Sequence, residues 1–312
     1  MAASGRQGPL LLALGIFGGV ASPGLAAELH GIVSPVVVAL MTLVLLRVDI
    51  PGTLAHLRRP GRVTLLIAVQ LLVCPVLVWA ITAPLGLDPA IRDGLVIFAT
   101  GCAATSSAAF ARLVGLDPEL SLLVTLATTF LVPLTAPPMV TALMGIDLAI
   151  STGAFMGRLG LVVGVPMLIS LALRQVMGRD GLRRWADATD GALVWLMVFY
   201  GFAVMDGLQA RVMVDPGWVV QAVLAAFIVD YGLNVVTTGV FTRLGTRMAA
   251  TAGLMSGNRN MALYLAVLPA AANPKIALFF GLCQLPLFLS PFLLRPLYRR
   301  WLGRPADARS RR

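Results

Sequence analysis

Charge is scarce in this chain. Only 12% of its 312 residues are charged, against roughly 25% in an ordinary soluble domain. Acids are scarcer than bases, 14 against 24, which leaves a formal net charge of +10. Hydrophobic residues make up 58%, and apolar runs near 20 residues recur from end to end, long enough to cross a bilayer as helices. The short alternating segments of a transmembrane barrel are missing. Helices therefore remain as the way to satisfy the backbone inside lipid.

Other absences narrow the function. The three cysteines, Cys74, Cys102 and Cys283, fall inside apolar runs without the spacing of a metal site, and they read as small packing residues. There is no phosphate-binding glycine loop, zinc helix motif or nucleophile elbow. Both histidines, His30 and His56, fall in expected loops. Nothing pairs a nucleophile with a base, so an enzyme is not expected, and neither is a cofactor or a metal beyond a coupling ion. No hydrophilic stretch is long enough for a soluble domain.

What is present reads as ten spans, roughly 9–27, 34–49, 63–86, 91–113, 119–146, 149–173, 189–209, 217–241, 249–269 and 275–298. With that assignment 19 of the 24 basic residues fall on one side, among them Arg58, Arg112, Arg247 and Arg299. Arg92, Arg211 and Lys275 fall on the other. This is the positive-inside asymmetry. It accounts for the basic charge without nucleic acid and puts both termini in the cytoplasm of a cell inner (plasma) membrane, with 301–312 as a tail. Residues 1–27 are expected to be a retained first helix; the other reading is a cleaved signal peptide, which leaves the remaining spans in place. The expected unit is a single transmembrane transporter of two inverted five-helix repeats, about 1–147 and 148–300. The oligomeric state stays open.

In inverted-repeat transporters the binding site lies where corresponding helices break near the midplane. The fourth and ninth spans are the candidates. "GLVIFATGCAATSSAAFARLVGLDPELS" and "AATAGLMSGNRNMALYLAVLPAAANPKIAL" each run from small residues into a polar triplet and end at a capping turn, Asp117-Pro118 and Asn273-Pro274. The triplets, Thr105-Ser106-Ser107 and Asn258-Arg259-Asn260, are expected to unwind and cross, with the N-terminal halves aiming positive dipole ends at the crossing. An arginine at mid-membrane costs about 2.5–3.5 kcal/mol even on insertion scales, which makes Arg259 a functional candidate; the structural alternative is an arginine that binds helix carbonyls. Asp230 in the eighth span is its expected partner, directly or through one water, with Asn234, Thr237 and Thr238 on the same helix face. Gln70, Ser121 and Thr125 are further candidates, although a serine or threonine in such a helix often bonds back to its own backbone. Arg158 and Asp206 form a second candidate pair toward the outer side.

At these residues the chain resembles the bile acid:sodium symporter family over roughly 34–300. "QLLVCP" is similar to the third-helix glutamine five residues before a proline. "TSSAAFARLVGLDPELSLLVT" and "GNRNMAL" resemble the two crossing-helix motifs. The resemblance implies a ten-helix fold with a panel of helices 1, 2, 6 and 7 moving against a core, and transport of a small organic anion. It implies sodium ligands at Gln70, Ser107, Ser121 and Thr125. The pattern is broken at Ala108 (usually asparagine), Met255 (usually the coordinating glutamate) and Arg259 (usually glutamine). A sodium ion about 5 Å from a guanidinium would feel roughly 3 kcal/mol of repulsion at an effective dielectric of 20. Sodium coupling is therefore in question, with a proton as the other coupling ion. The substrate site is expected at Thr105, Ser106, Ser107, Asp230, Asn234, Asn258, Arg259 and Asn260. A metalloid efflux pump of related fold, which would use a cysteine near Cys102, and a non-transporting membrane sensor are the alternatives.

Overall fold

The computed structural model describes residues 15–48, 60–145, 150–268 and 273–302. His56, the start of the first expected span and most of the tail lie outside them. Among the described residues the chain is helical, with one isolated β-bridge.

Prolines, caps and glycines set the element boundaries. Helix α1, Pro23–His30, and α2, Val33–Arg47, meet at a 70° bend. His30 is thus the last residue of a helix rather than a loop residue. The next span is α3, Pro60–Ala68, a π-helical turn, Val69–Val73, and α4, Cys74–Thr82. The wide turn follows from Pro75, which has no N–H for the helical ladder. Helix α5, Pro89–Thr100, starts on the Asp88 cap and stops where Gly101 turns extended. Helix α6, Ser107–Val114, ends at Gly115 with φ 85°. Asp117 then caps α7, Pro118–Met144, by accepting from the Glu119 and Leu120 amides. Helix α8, Thr152–Arg184, kinks at Gly178. It is followed by α9, Ala186–Ala203, α10, Leu208–Val214, and α11, Pro216–Phe241. Helices α12, Thr246–Gly257, and α13, Met261–Val267, are separated by three residues. Asn273 caps α14, Pro274–Leu282, and α15, Gln284–Trp301, closes the described chain.

Six helical segments are long and apolar enough to cross a membrane, or seven if the bent α1–α2 pair is one span. Their polarity is arranged for lipid. On α11, Ile228 and Val235 are 71% and 70% exposed, while Asp230 and Asn234 on the opposite face are 1% and 5% exposed. Apolar side chains face outward and polar ones inward, the reverse of a soluble bundle. The chain is a multi-pass membrane protein.

The inward face of α11 packs on α12 through two glycines four residues apart. A Cβ on Gly253 would lie 2.0 Å from Thr238 Oγ1, and one on Gly257 would lie 2.4 Å from the Asp230 carbonyl oxygen. Small residues at this spacing let two backbones approach closely in a membrane. That approach delivers the polar face of α11 to the end of α12, where the chain breaks.

A junction of two interrupted helices

The breaks α5–α6 and α12–α13 lie side by side although about 150 residues separate them in sequence. Ala103 and Arg259 form an antiparallel bridge. The Ala104 amide donates to the Asn258 carbonyl and the Asn260 amide to the Cys102 carbonyl, both at 2.9 Å. Each unwound segment thus satisfies part of the other's backbone, which lipid cannot do. Neighbouring helices hold the pair, since Thr128 Oγ1 on α7 accepts from the Ala103 amide at 3.2 Å and Ser290 Oγ on α15 donates to Asn258 Oδ1 at 2.9 Å; within the pair, Thr100 on α5 and Tyr264 on α13 join through their hydroxyls at 2.7 Å.

Arg259 is the largest fully buried side chain among the described residues. Its guanidinium donates to three carbonyls of three helical segments: Ser256 at 2.7 Å from Nε, Gly101 at 2.5 Å from Nη1, and Gln70 at 3.1 Å from Nη2. All three lie where a helical ladder ends or widens. Ser256 is in the last turn of α12, and Gly101 follows the last residue of α5, so both carbonyls are among those a helix end leaves without a partner. At Gln70 the cause is Pro75. In the wide turn the Cys74 amide bonds to Val69, so the Gln70 carbonyl would need the amide of residue 75, and proline has none. One planar fork serves three carbonyls that the sequence has deprived of donors.

This geometry corrects three expectations. The N-terminal halves α5 and α12 bring their C-terminal ends to the junction, so their dipoles are negative there; the positive ends belong to α6 and α13. Arg259 makes no direct pair with Asp230, although the two charges are close enough to interact electrostatically. Both Asp230 carboxylate oxygens are buried without a hydrogen-bond partner among the described residues, because the carbonyls, which are bound to the chain beside it, hold the guanidinium first. Arg158 and Asp206 do not pair either: Arg158 reaches the Val267 carbonyl at 3.4 Å, and Asp206 lies 3.8 Å from His30.

The other candidates divide by whether their side chains are already used. Gln70 Nε2 donates to the Met255 carbonyl at 2.6 Å, which leaves Oε1 unpartnered. Ser107 Oγ, Thr125 Oγ1 and Asn258 Nδ2 are buried and unpartnered, each within a turn of a residue that bonds across the junction. Ser121 is committed to the Asp117 carbonyl at 2.9 Å in its own helix. Asn234 exchanges two hydrogen bonds with Tyr298, at 2.8 and 3.1 Å. Asn260 is buried and holds the junction through its backbone. Thr105 and Ser106 form a partly exposed turn ahead of α6. Ser256, whose hydroxyl is also buried and unpartnered, is not singled out by the sequence.

A cation's fit can be judged from these oxygens. Gln70 Oε1, Ser107 and Thr125 are free neutral donors. Ser121 gives its proton to the Asp117 carbonyl and keeps its oxygen lone pairs, whereas Met255 brings a thioether where a carboxylate would be needed, and a guanidinium already occupies the carbonyls beside Gln70. The set offers a sodium ion neutral hydroxyl oxygens alone at Ser107, Ser121 and Thr125. Among the described residues no group of three or more His, Cys, Asp or Glu side chains suits a metal ion.

Helices that span a membrane and break in two places around a shared polar centre define a multi-pass membrane protein of the discontinuous-helix class. The chain belongs to the Sodium Bile acid symporter family, whose profile matches residues 34–214. Members of this family are transporters rather than enzymes, and membership suggests a sodium-coupled carrier of the bile acid or arsenite type. The match spans α5, α6, Gln70, Ser107, Ser121 and Thr125; Asp230 and Arg259 lie beyond it. A comparison with curated proteins finds no match.

Proposed function

We propose that this protein is a secondary transporter of small organic anions in which Arg259 takes the place of a coupling sodium ion. Ten helices in two inverted repeats, about 1–147 and 148–300, carry it. The interrupted segments 89–114 and 246–267 are the fourth and ninth, a panel of helices 1, 2, 6 and 7 moves against the remaining core, and the arginine-rich side faces the cytoplasm. The substrate meets the junction through Thr105, Ser106, Ser107, Asn258 and Asn260.

One observation carries the reading. The guanidinium is bonded to three carbonyls and supplies, permanently, the positive charge that a bound cation would bring to two negative helix ends. With Met255 in place of a carboxylate, a sodium ion beside it would meet about 3 kcal/mol of repulsion at an effective dielectric of 20 and 5 Å, more than a hundredfold in affinity. Asp230, unpartnered and adjacent to the end of α12, is the group that takes up a proton when transport is driven.

The test is uptake of organic anions into proteoliposomes, with sodium replaced by potassium at fixed pH and membrane potential. Unchanged uptake with a response to a pH gradient is expected. A steep sodium dependence with a Hill coefficient near two contradicts the reading, and indifference to both ions makes the protein a uniporter. A second reading has one observation in its favour: Cys102 lies in the junction itself, with its carbonyl bonded to Asn260. Arsenite resistance in a sensitive host, lost in Cys102→Ser, would favour metalloid efflux instead.

A further inference from the structure

Three arginines converge on one cavity at the arginine-rich end of the molecule. Arg112 lies in the last turn of α6, Arg247 in the first turn of α12 and Arg299 near the end of α15. Together with Trp301 and Leu113 they line a space of about 630 Å³. No carboxylate lines it, and none of the three arginines has an acidic partner among the described residues. Arg247 is fixed by donating to the Leu116 carbonyl at 3.0 Å. Three like charges around one cavity repel one another, and no acidic residue among the described residues lines it to offset them.

The positive-inside rule accounts for arginines on this side, though not for their convergence from three helices onto one cavity. The surroundings specify the counter-charge. Leu113, Leu293 and Leu297 are 54%, 47% and 57% exposed and belong to the outward apolar surface of α6 and α15. Trp301 beside them is 44% exposed, and tryptophan is a residue type enriched at the membrane–water interface. The cavity therefore opens where lipid-facing side chains give way to arginines, and a ligand there meets apolar and cationic groups together.

From this arrangement we infer that the cavity is a binding site for the phosphate of an anionic phospholipid, held by the guanidinium groups of Arg112, Arg247 and Arg299, with the acyl chains along Leu113 and Leu297. Guanidinium forks match phosphate oxygens in geometry and charge, and basic pockets between transmembrane helices bind such head groups. The site joins α6 to α12, one half of each interrupted helix. An occupied site ties those halves to α15 and stabilises the junction against separation.

The test uses the full chain in detergent micelles, titrated with dioleoylphosphatidylglycerol, dioleoylphosphatidylcholine or inorganic phosphate while thermal unfolding is followed. The phosphatidylglycerol is expected to raise Tm saturably, and the other two are not. In Arg112→Gln/Arg299→Gln the half-saturating lipid concentration rises about tenfold or more; Arg247 is kept because it holds the Leu116 carbonyl. Arg183→Gln/Arg184→Gln, on the same side but away from the cavity, leaves the titration unchanged. Three results would overturn the site: the Arg112/Arg299 variant titrating as the parent does, the control variant losing as much, or millimolar phosphate reproducing the shift and blocking the lipid, which would make the ligand a free anion. Should the double variant fold poorly, brominated phosphatidylglycerol on the parent chain decides, with Trp301→Phe identifying the Trp301 signal. Quenching of Trp301 no stronger than by brominated phosphatidylcholine refutes the inference.

Discussion

A buried arginine in a membrane is tolerable only if its guanidinium nitrogens find acceptors, and each of the three on Arg259 finds a carbonyl in backbone already short of donors. Removing it leaves those carbonyls unsatisfied at about 1–3 kcal/mol each. Arg259→Met is therefore expected to lower Tm sharply or to prevent recovery of folded protein, measured by size-exclusion chromatography and thermal unfolding in detergent. Arg259→Lys keeps the charge but cannot span three acceptors, so an intermediate loss is expected. Asp230 differs, because its carboxylate is buried without a partner, and replacing such a charge with a neutral group of the same shape relieves desolvation. Asp230→Asn is expected to keep the parent's stability at neutral pH within about 1 kcal/mol, read from thermal unfolding, while pH-driven uptake falls at least tenfold. A collapse of folding would show that Asp230 is structural, and normal pH-driven uptake would show that it carries no proton. Membrane depth, read from sequence, puts these two charges at one level. It does not reveal that carbonyls in the arginine's own neighbourhood compete with the acid and win.

At the scale of elements, the junction is legible because glycine, small residues and a polar triplet interrupt otherwise apolar spans twice, and because Asp117-Pro118 and Asn273-Pro274 are cap sequences that do cap. The role of Pro75 is half legible: a proline in an apolar span announces a disturbed ladder, but only the fold shows that the freed Gln70 carbonyl points to residue 259. The Gly253–Gly257 pair carries its signal in the four-residue spacing, and its consequence depends on α11 arriving on that face. Gly257→Ala would push a Cβ to within 2.8 Å of an Asp230 carboxylate oxygen and closer still to the backbone. Overpacking of this kind costs about 1–3 kcal/mol or more. Gly24→Ala, which meets nothing within 4 Å, serves as the control. Equal thermal stability of the two variants would mean that α11 and α12 are not held as closely as described.

Across the whole molecule, a link at the end opposite the arginine-rich face joins the turn before α5 to the start of α14. Lys275 and Asp88 lie 3.0 Å apart, each about one quarter exposed. Burial alone would raise the Asp88 carboxyl, but hydrogen bonds from Lys275 and the Ala90 amide hold it below its ordinary value. A carboxyl with a depressed folded-state pKa adds stability above its unfolded value of about 3.9, and that contribution is lost as pH falls through the folded value. Asp88→Asn is therefore expected to lower Tm modestly at pH 7, by up to about 1 kcal/mol in stability for a pair this exposed, and the difference shrinks as pH falls below about 3.9 toward the depressed folded value. A Tm difference that does not shrink on acidification would assign the effect to the helix cap instead.

The central claim, that a guanidinium replaces the coupling cation, concerns the whole transport cycle and can be tested without knowing the substrate. Anything that binds the folded state raises its stability by mass action. The measurement is Tm of the purified protein in a neutral detergent as sodium replaces potassium from 1 to 300 mM at constant ionic strength. The expected curve is flat, whereas in Met255→Glu/Arg259→Gln, with a carboxylate restored and the fixed charge removed, it rises and saturates. A saturable rise with sodium in the unaltered protein would contradict the account.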